Sequence, residues 1–212
     1  MADLEFFFDP VCPFAWVTSR WVKEVQAQRE YEVTWRFISL AIINEKRDSD
    51  WYTPEYREGH LTGTMGLRVA DEVRQTVGND GVDRLYTALG TAFHPGRRRA
   101  EMTEDPVPFL ESLLKEIDLD PQLAQHALDE SHDAYLRQET ELAFSRTGPD
   151  VGTPILTFNP ASDREASFFG PVISQTPRGE DAVRLWDAVK VLAETPSMSE
   201  LKRSARAKLD FT

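Results

Sequence analysis

A chain of 212 residues with 41% hydrophobic and 28% charged side chains is long enough to bury a core and too apolar to stay disordered. Its formal net charge of −12 argues against nucleic acid and anionic membrane surfaces as partners. A single cysteine, Cys12, allows no internal disulfide, as expected in a reducing cytoplasm. The opening "MADLEFFFDP" lacks the basic and apolar regions of a targeting segment, and no apolar run has transmembrane length, so a cytoplasmic protein is expected. "LEFFFDP" reads as a short buried strand stopped by Asp9-Pro10. "FAWVTSRWVKEVQAQRE" follows, with Phe14, Val17, Trp21 and Val25 near helical spacing, and Pro13 suits the first turn. "YEVTWRFIS" alternates Tyr31, Val33, Trp35 and Phe37 with polar neighbours, a second strand.

From Trp51 to Phe144 the apolar period is helical, broken at Gly78–Gly81, at His94-Pro95-Gly96 and at Asp118–Pro121. Three to five helices and no strand are expected there, with "PQLAQHALDESHDAYLRQETELAF" among the helices. "GTPILTFNP" and "ASFFGPV" read as two strands joined by a hairpin loop. A last helix is expected with Thr176 as N-cap, Pro177 in its first turn, and Leu185, Val189 and Leu192 as its buried stripe.

Cys12 therefore stands at a strand-to-helix junction. A helix N-terminus presents unsatisfied N–H groups and the positive end of the peptide dipoles, which favour an anion. Free cysteine titrates near about 8.5, and such positions lower it to roughly 3.5–7.5, giving the nucleophilic thiolate at neutral pH. The alternative is a cysteine acting as a small core hydrophobe. Its place beside Pro13 and two residues after Pro10 favours an accessible, low-pKa thiol.

The order strand, Cys12, helix, strand, helical block, Thr153-Pro154, strand, strand, helix resembles the thioredoxin fold of the DsbA-like family. "CPFA" at 12–15 and "GTP" at 152–154 are its anchors. Further segments ("FFDPVCPFAWVTSRW", "SLAIINEKRD", "YREG", "DVGTPILTFN", "FFGPV", "PRGEDAVRLWDA") are similar to the cytoplasmic mycothiol-dependent reductases, which include nitroreductases. The resemblance implies an α/β thioredoxin-fold domain over residues 1–50 and 146–212, with an all-helical insertion at 51–145. It implies a cis Thr153-Pro154 bond facing Cys12, and a small thiol as co-substrate, mycothiol or in another host glutathione. Dithiol members carry Cys-Pro-x-Cys, whereas the fourth position here is Ala15. Release of a mixed disulfide on Cys12 must then use an external thiol. Kappa-type glutathione transferases and 2-hydroxychromene-2-carboxylate isomerases share the architecture with serine at the position of Cys12, so cysteine favours redox chemistry over that alternative. A non-catalytic binding or holdase module is the other.

Pro13 and Phe14 follow the thiol, where Phe14 either offers an apolar wall or packs in the helix. The resemblance also marks Asn44, Arg47 and Tyr56 as a wall for a polar thiol. His94, at a helix end, either complements the dipole or serves the site. The opening of the last helix, with Arg178, is a candidate for holding a carboxylate. Taken singly, Asn44, Arg47, Tyr56, His94 and Arg178 read more simply as loop or cap residues. Asp9 reads as a turn aspartate that could also tune the thiol. Arg97 to Arg99 read as a solvated loop. His126, Glu130 and Asp133 share helical spacing, but such spacing in an acidic segment is more often a solvated face than a first shell, and no metal is expected. "GTMG" at 63–66 follows no strand and is no dinucleotide fingerprint. Partners are thus small molecules, a thiol with a disulfide or electrophile, and the sequence is compatible with a homodimer.

Overall fold

The computed structural model describes residues 2–211. Four strands form one sheet: β1 (Leu4–Phe8), β2 (Val33–Phe37), β3 (Ile155–Phe158) and β4 (Ala166–Phe169), in the order β2-β1-β3-β4. β1 pairs in parallel with β2, and β3 runs antiparallel to both β1 and β4. β1 is buried at all five positions, because it is central and covered on both faces. β2 alternates buried and half-buried residues, as an edge strand does.

The parallel β1–β2 pair requires a crossover, and α1 (Pro13–Gln26) supplies it. The helix is apolar on more than one side. Trp21 donates its indole N–H to the Ala182 carbonyl of α8 (Gly179–Ala193) at 2.9 Å and packs on Trp186. Trp16, five residues earlier, packs on the helices that follow β2. Leu4, Phe6, Phe8, Leu156 and Phe158 belong to this larger core, while Phe7 and Ile155 face the other way, with Ile38 and Ala143.

Between β2 and β3 the chain is helical. It runs through a short α2 (Leu40–Ile43), then α3 (Pro54–Thr76), α4 (Asn79–Phe93), α5 (Arg99–Glu104), α6 (Pro106–Glu116) and α7 (Asp133–Thr147). The expected helix from Pro121 to Phe144 is α-helical only in its second half. Pro121–Leu128 and Glu130–His132 are 3₁₀ turns. Asp120 and Asp129 cause this, each accepting from the backbone N–H two residues on at 2.9 Å, so that turns compete with helix.

The last helix starts later than expected. Arg178, not Thr176, is its N-cap, and the Gly179 N–H donates to Glu24 of α1 at 3.0 Å. A cap supplied from a distant segment leaves no local signal. Val189 is buried as expected, but Ala182 and Trp186 take the places of Leu185 and Leu192 in the buried stripe, because the Trp186 ring fills the space between Trp21, Tyr31 and Phe158.

Candidate active site

Everything at the site hangs on the turn from β1 into α1. Asp9 is fully buried, and its two carboxylate oxygens accept from Val11 N–H at 3.0 Å and Leu40 N–H at 2.8 Å. One side chain thus ties the turn to the start of α2. Burial pushes the Asp9 carboxyl up to about 7, against the pull of those two N–H groups.

Cys12 is the N-cap of α1, and Pro13 occupies the first helical position. Its Sγ accepts from Ala15 N–H at 3.4 Å and donates to the Thr153 carbonyl at 3.4 Å. Thr153-Pro154 is cis, as the resemblance implies, and so is Gly170-Pro171. Thr153 Oγ1 donates to the Phe7 carbonyl at 3.2 Å, locking this segment beside the end of β1.

The expectation of an accessible, low-pKa thiol fails in this conformation. Cys12 is 6% exposed, and burial, the largest influence, pushes its thiol up to about 12. The Ala15 N–H pulls it down, the Asp9 charge pushes it up, and the Phe14 N–H pulls it down. The anion-favouring amides are present, but loss of water outweighs them.

The helical block closes the turn from the other side. An ideal Cβ on Gly63 of α3 would lie 2.4 Å from Asp9 Oδ1, and one on Gly90 of α4 would lie 2.1 Å from the Trp16 ring. Only glycine lets these helices approach so closely. "GTMG" therefore carries meaning that a search for phosphate-binding glycines overlooks. His94, at the end of α4, donates from Nε2 to the Pro10 carbonyl at 3.0 Å and stacks on Trp16. Burial pushes its imidazole down to about 4, so it stands neutral at pH 7. The C-terminal segment lies against the same side. Phe211 packs on His94 and the Arg206 guanidinium sits 5.2 Å from the Phe14 ring.

Of the expected site residues, Cys12, Pro13, Phe14, Thr153, Pro154 and His94 converge on this turn. Arg47 and Tyr56 belong to a neighbouring aromatic and basic cluster. The Arg47 guanidinium lies 5.1 Å from the Trp51 ring, Trp51 packs edge-on against Tyr56, and Tyr52 Oη is hydrogen-bonded to His60 Nδ1 at 3.0 Å. His60 precedes Gly63 by three residues and so shares its face of α3. Nothing in the sequence singles out Trp51, Tyr52 and His60, because Trp51 and Tyr52 lie in a loop without a period and His60 is one polar residue on a helix. Asn44 closes α2, its Nδ2 donating to the Leu40 carbonyl at 2.8 Å. Arg178 is a correction: it pairs with Glu24 at 3.2 Å, and Glu24 also takes the first N–H of α8. Glu24 lies twelve positions along α1 from Cys12, about 18 Å along the axis, so this helix start does not serve the thiol.

Sheet order, helical excursion and the cysteine at the first strand-to-helix turn define a DsbA-like thioredoxin fold, and the family to which the chain is matched makes the class a thiol-dependent oxidoreductase. The chain belongs to the Rv2466c-like family, described as mycothiol-dependent nitroreductase Rv2466c, whose model matches residues 11–203. It is 31% identical over 211 residues to the uncharacterized protein Rv2286c of Mycobacterium tuberculosis, covering 96% of this chain and 82% of that one. Its structure is similar to the cytosolic disulfide reductase DsbM from Pseudomonas aeruginosa, with a TM-score of 0.57 and 15% identity over 89% of this chain and 98% of that one. A second DsbM structure, with GSH, gives 0.57 and 14% over 88% and 98%. A putative protein disulfide isomerase from Nitrosomonas europaea gives 0.56 and 13% over 89% and 96%. At such identities these likenesses carry the fold alone. Among the described residues, no helix is long and apolar enough to cross a membrane.

Proposed function

We propose that Cys12 is the nucleophile of a monothiol exchange with a low-molecular-weight thiol, mycothiol in the first instance and glutathione in a host that lacks it. The observation that carries this reading is the seat of Sγ between the Ala15 N–H and the Thr153 carbonyl. Attack of the Cys12 thiolate on a disulfide RS–SR′ forms Cys12–S–SR and expels R′S⁻. A second thiolate, RS⁻, then attacks that sulfur, releases RS–SR and restores the Cys12 thiolate. The net reaction, RS–SR′ + RS⁻ → RS–SR + R′S⁻, consumes one added thiol per disulfide, whereas a nitro compound reduced to the nitroso level takes two electrons and two protons from two thiols, giving RS–SR and water. Ala15 leaves no second sulfur to compete for release.

Thr153, Pro154, Pro13 and Phe14 frame the sulfur in this reading, and Trp51, Tyr56 and Arg47 offer exposed ring faces and charge for the polar part of the thiol. His94 is a positioning residue, holding the Pro10 carbonyl and bracing Trp16. Family membership and the DsbM structure with GSH support a thiol co-substrate. Such chemistry suits the cytoplasm, where small thiols are kept reduced. The test is thiol-dependent reduction of a mixed disulfide and of a nitroaromatic by wild type and Cys12→Ser. Loss of both activities to background in the variant is expected, since serine forms no mixed disulfide. Full retention would move the protein to the transferase class.

A further inference from the structure

The 3₁₀ segment brings together two histidines that the sequence leaves apart. His126 Nδ1 lies 3.0 Å from His132 Nε2 and 3.7 Å from Glu72 Oε2 of α3, and one donor atom from each residue lies within 4.8 Å of the others. Tetrahedral zinc with bonds of about 2.0–2.1 Å sets its ligand atoms about 3.3 Å apart, and the two spacings from His126, 3.0 and 3.7 Å, lie on either side of that value. Glu130 and Asp133, which share helical spacing with His126 in the sequence, are not part of this group. Asp133 is held by Arg68 at 2.7 Å, and Arg68 also donates to the Ala127 carbonyl.

The outer shell is built as metal sites are built. Asp71 and His132 have side chains 5% and 7% exposed, and Asp71 Oδ2 accepts from His132 Nδ1 at 2.7 Å. Gln75 Nε2 fixes the same carboxylate oxygen at 3.2 Å. A proton held on Nδ1 of His132 leaves the lone pair of Nε2 pointing at His126, the arrangement in which a carboxylate orients a ligating histidine. The two imidazole nitrogens 3.0 Å apart share a proton in the metal-free protein, and a metal ion would take that proton's place with the Glu72 carboxylate beside it. His126 and Glu72 are 32% and 20% exposed at their side chains, so the open side faces water and leaves room for a fourth ligand.

We infer that Glu72, His126 and His132 form a binding site for a divalent transition metal, zinc first, with water as the fourth ligand and Asp71 as the orienting carboxylate. Bound metal would clip the 3₁₀ segment to α3, away from the Cys12 turn. The test is titration of chelator-treated full-length protein with Zn²⁺ by calorimetry, and with Co²⁺ by visible absorption. One ion per chain is expected, with a cobalt spectrum lacking sulfur charge transfer. His126→Ala and Glu72→Gln should each weaken Zn²⁺ at least about tenfold, and Asp71→Asn about 10–100-fold. Cys12→Ser should change nothing. Both His126 and Glu72 are half-buried, neither in the core, so at least one variant is expected to fold, as circular dichroism will report. The inference is overturned by an absence of stoichiometric binding, by binding that persists in the folded variants, or by binding that disappears with Cys12.

Discussion

Two opposing effects meet at the sulfur of Cys12. Backbone amides at the start of α1 favour the thiolate, and burial disfavours it more strongly. Alkylation of the resting protein is therefore expected to have its pH midpoint above that of free cysteine, about 8.5. A midpoint below that value would mean the turn is open in solution. Asp9 and His94 are perturbed in opposite senses by the same burial. A carboxyl raised from 3.8 to about 7 binds more protons folded than unfolded between those values, so its contribution to stability is present at low pH and is lost as pH rises through 7. His94, lowered from 6.5 to about 4, makes the folded state bind fewer protons, so its contribution is present above 6.5 and is lost as pH falls through 4. Comparing Asp9→Asn with wild type by denaturant melts isolates the first effect. The difference should shift in favour of the variant as pH rises from about 4 to about 7, whatever its starting value. Gly63→Ala should cost about 1–3 kcal/mol, because its methyl would stand 2.4 Å from Asp9 Oδ1. A shift in denaturant midpoint at constant slope would report it.

The first strand-to-helix turn, the element that presents Cys12, is closed on one side by the chain's own C-terminal segment. Arg206 lies over Phe14 and Phe211 packs on His94, both beside the thiol. Removing residues 205–212 is expected to hydrate the turn, letting the Ala15 and Phe14 amides dominate. Alkylation of Cys12 should then quicken at pH 7 and its pH midpoint should fall. An unchanged midpoint would assign the burial to α3 and α4 alone. Ala15→Cys addresses α1 itself. It sets a second thiol one turn along from Cys12, and an internal disulfide on oxidation is expected, with less added thiol needed for release. Failure to form that disulfide would mean that residues 12 and 15 are not arranged for dithiol exchange.

At the scale of the molecule, the strands and most helices were legible because each carries its own period, and Cys12 and Thr153-Pro154 because they interrupt it. What was not legible comes from distant segments. The cap of α8 comes from Glu24, the approach of α3 to Asp9 depends on Gly63, and the burial of Cys12 is a sum over several elements. The charges on the sheet were equally silent. Glu5 of β1 accepts from Arg36 of β2 at 2.8 Å and pairs with Arg146 of α7, while Arg36 also grips Glu139 of α7. Truncating Glu139, itself 4% exposed, should lower stability in a denaturant melt by less than the roughly 3–5 kcal/mol of a fully buried pair, because Arg36 keeps Glu5 and is 22% exposed. These pairs hold α7 on the sheet, so the helical block returns to β3 and brings Thr153 to Cys12. The proposed function rests on one sulfur, and mass spectrometry of the intact chain asks about that sulfur directly. After incubation with oxidised mycothiol or glutathione, wild type is expected to gain the mass of one thiol, removable by added thiol and absent in Cys12→Ser. An unmodified chain that still turns over thiol-dependent reduction would contradict the account.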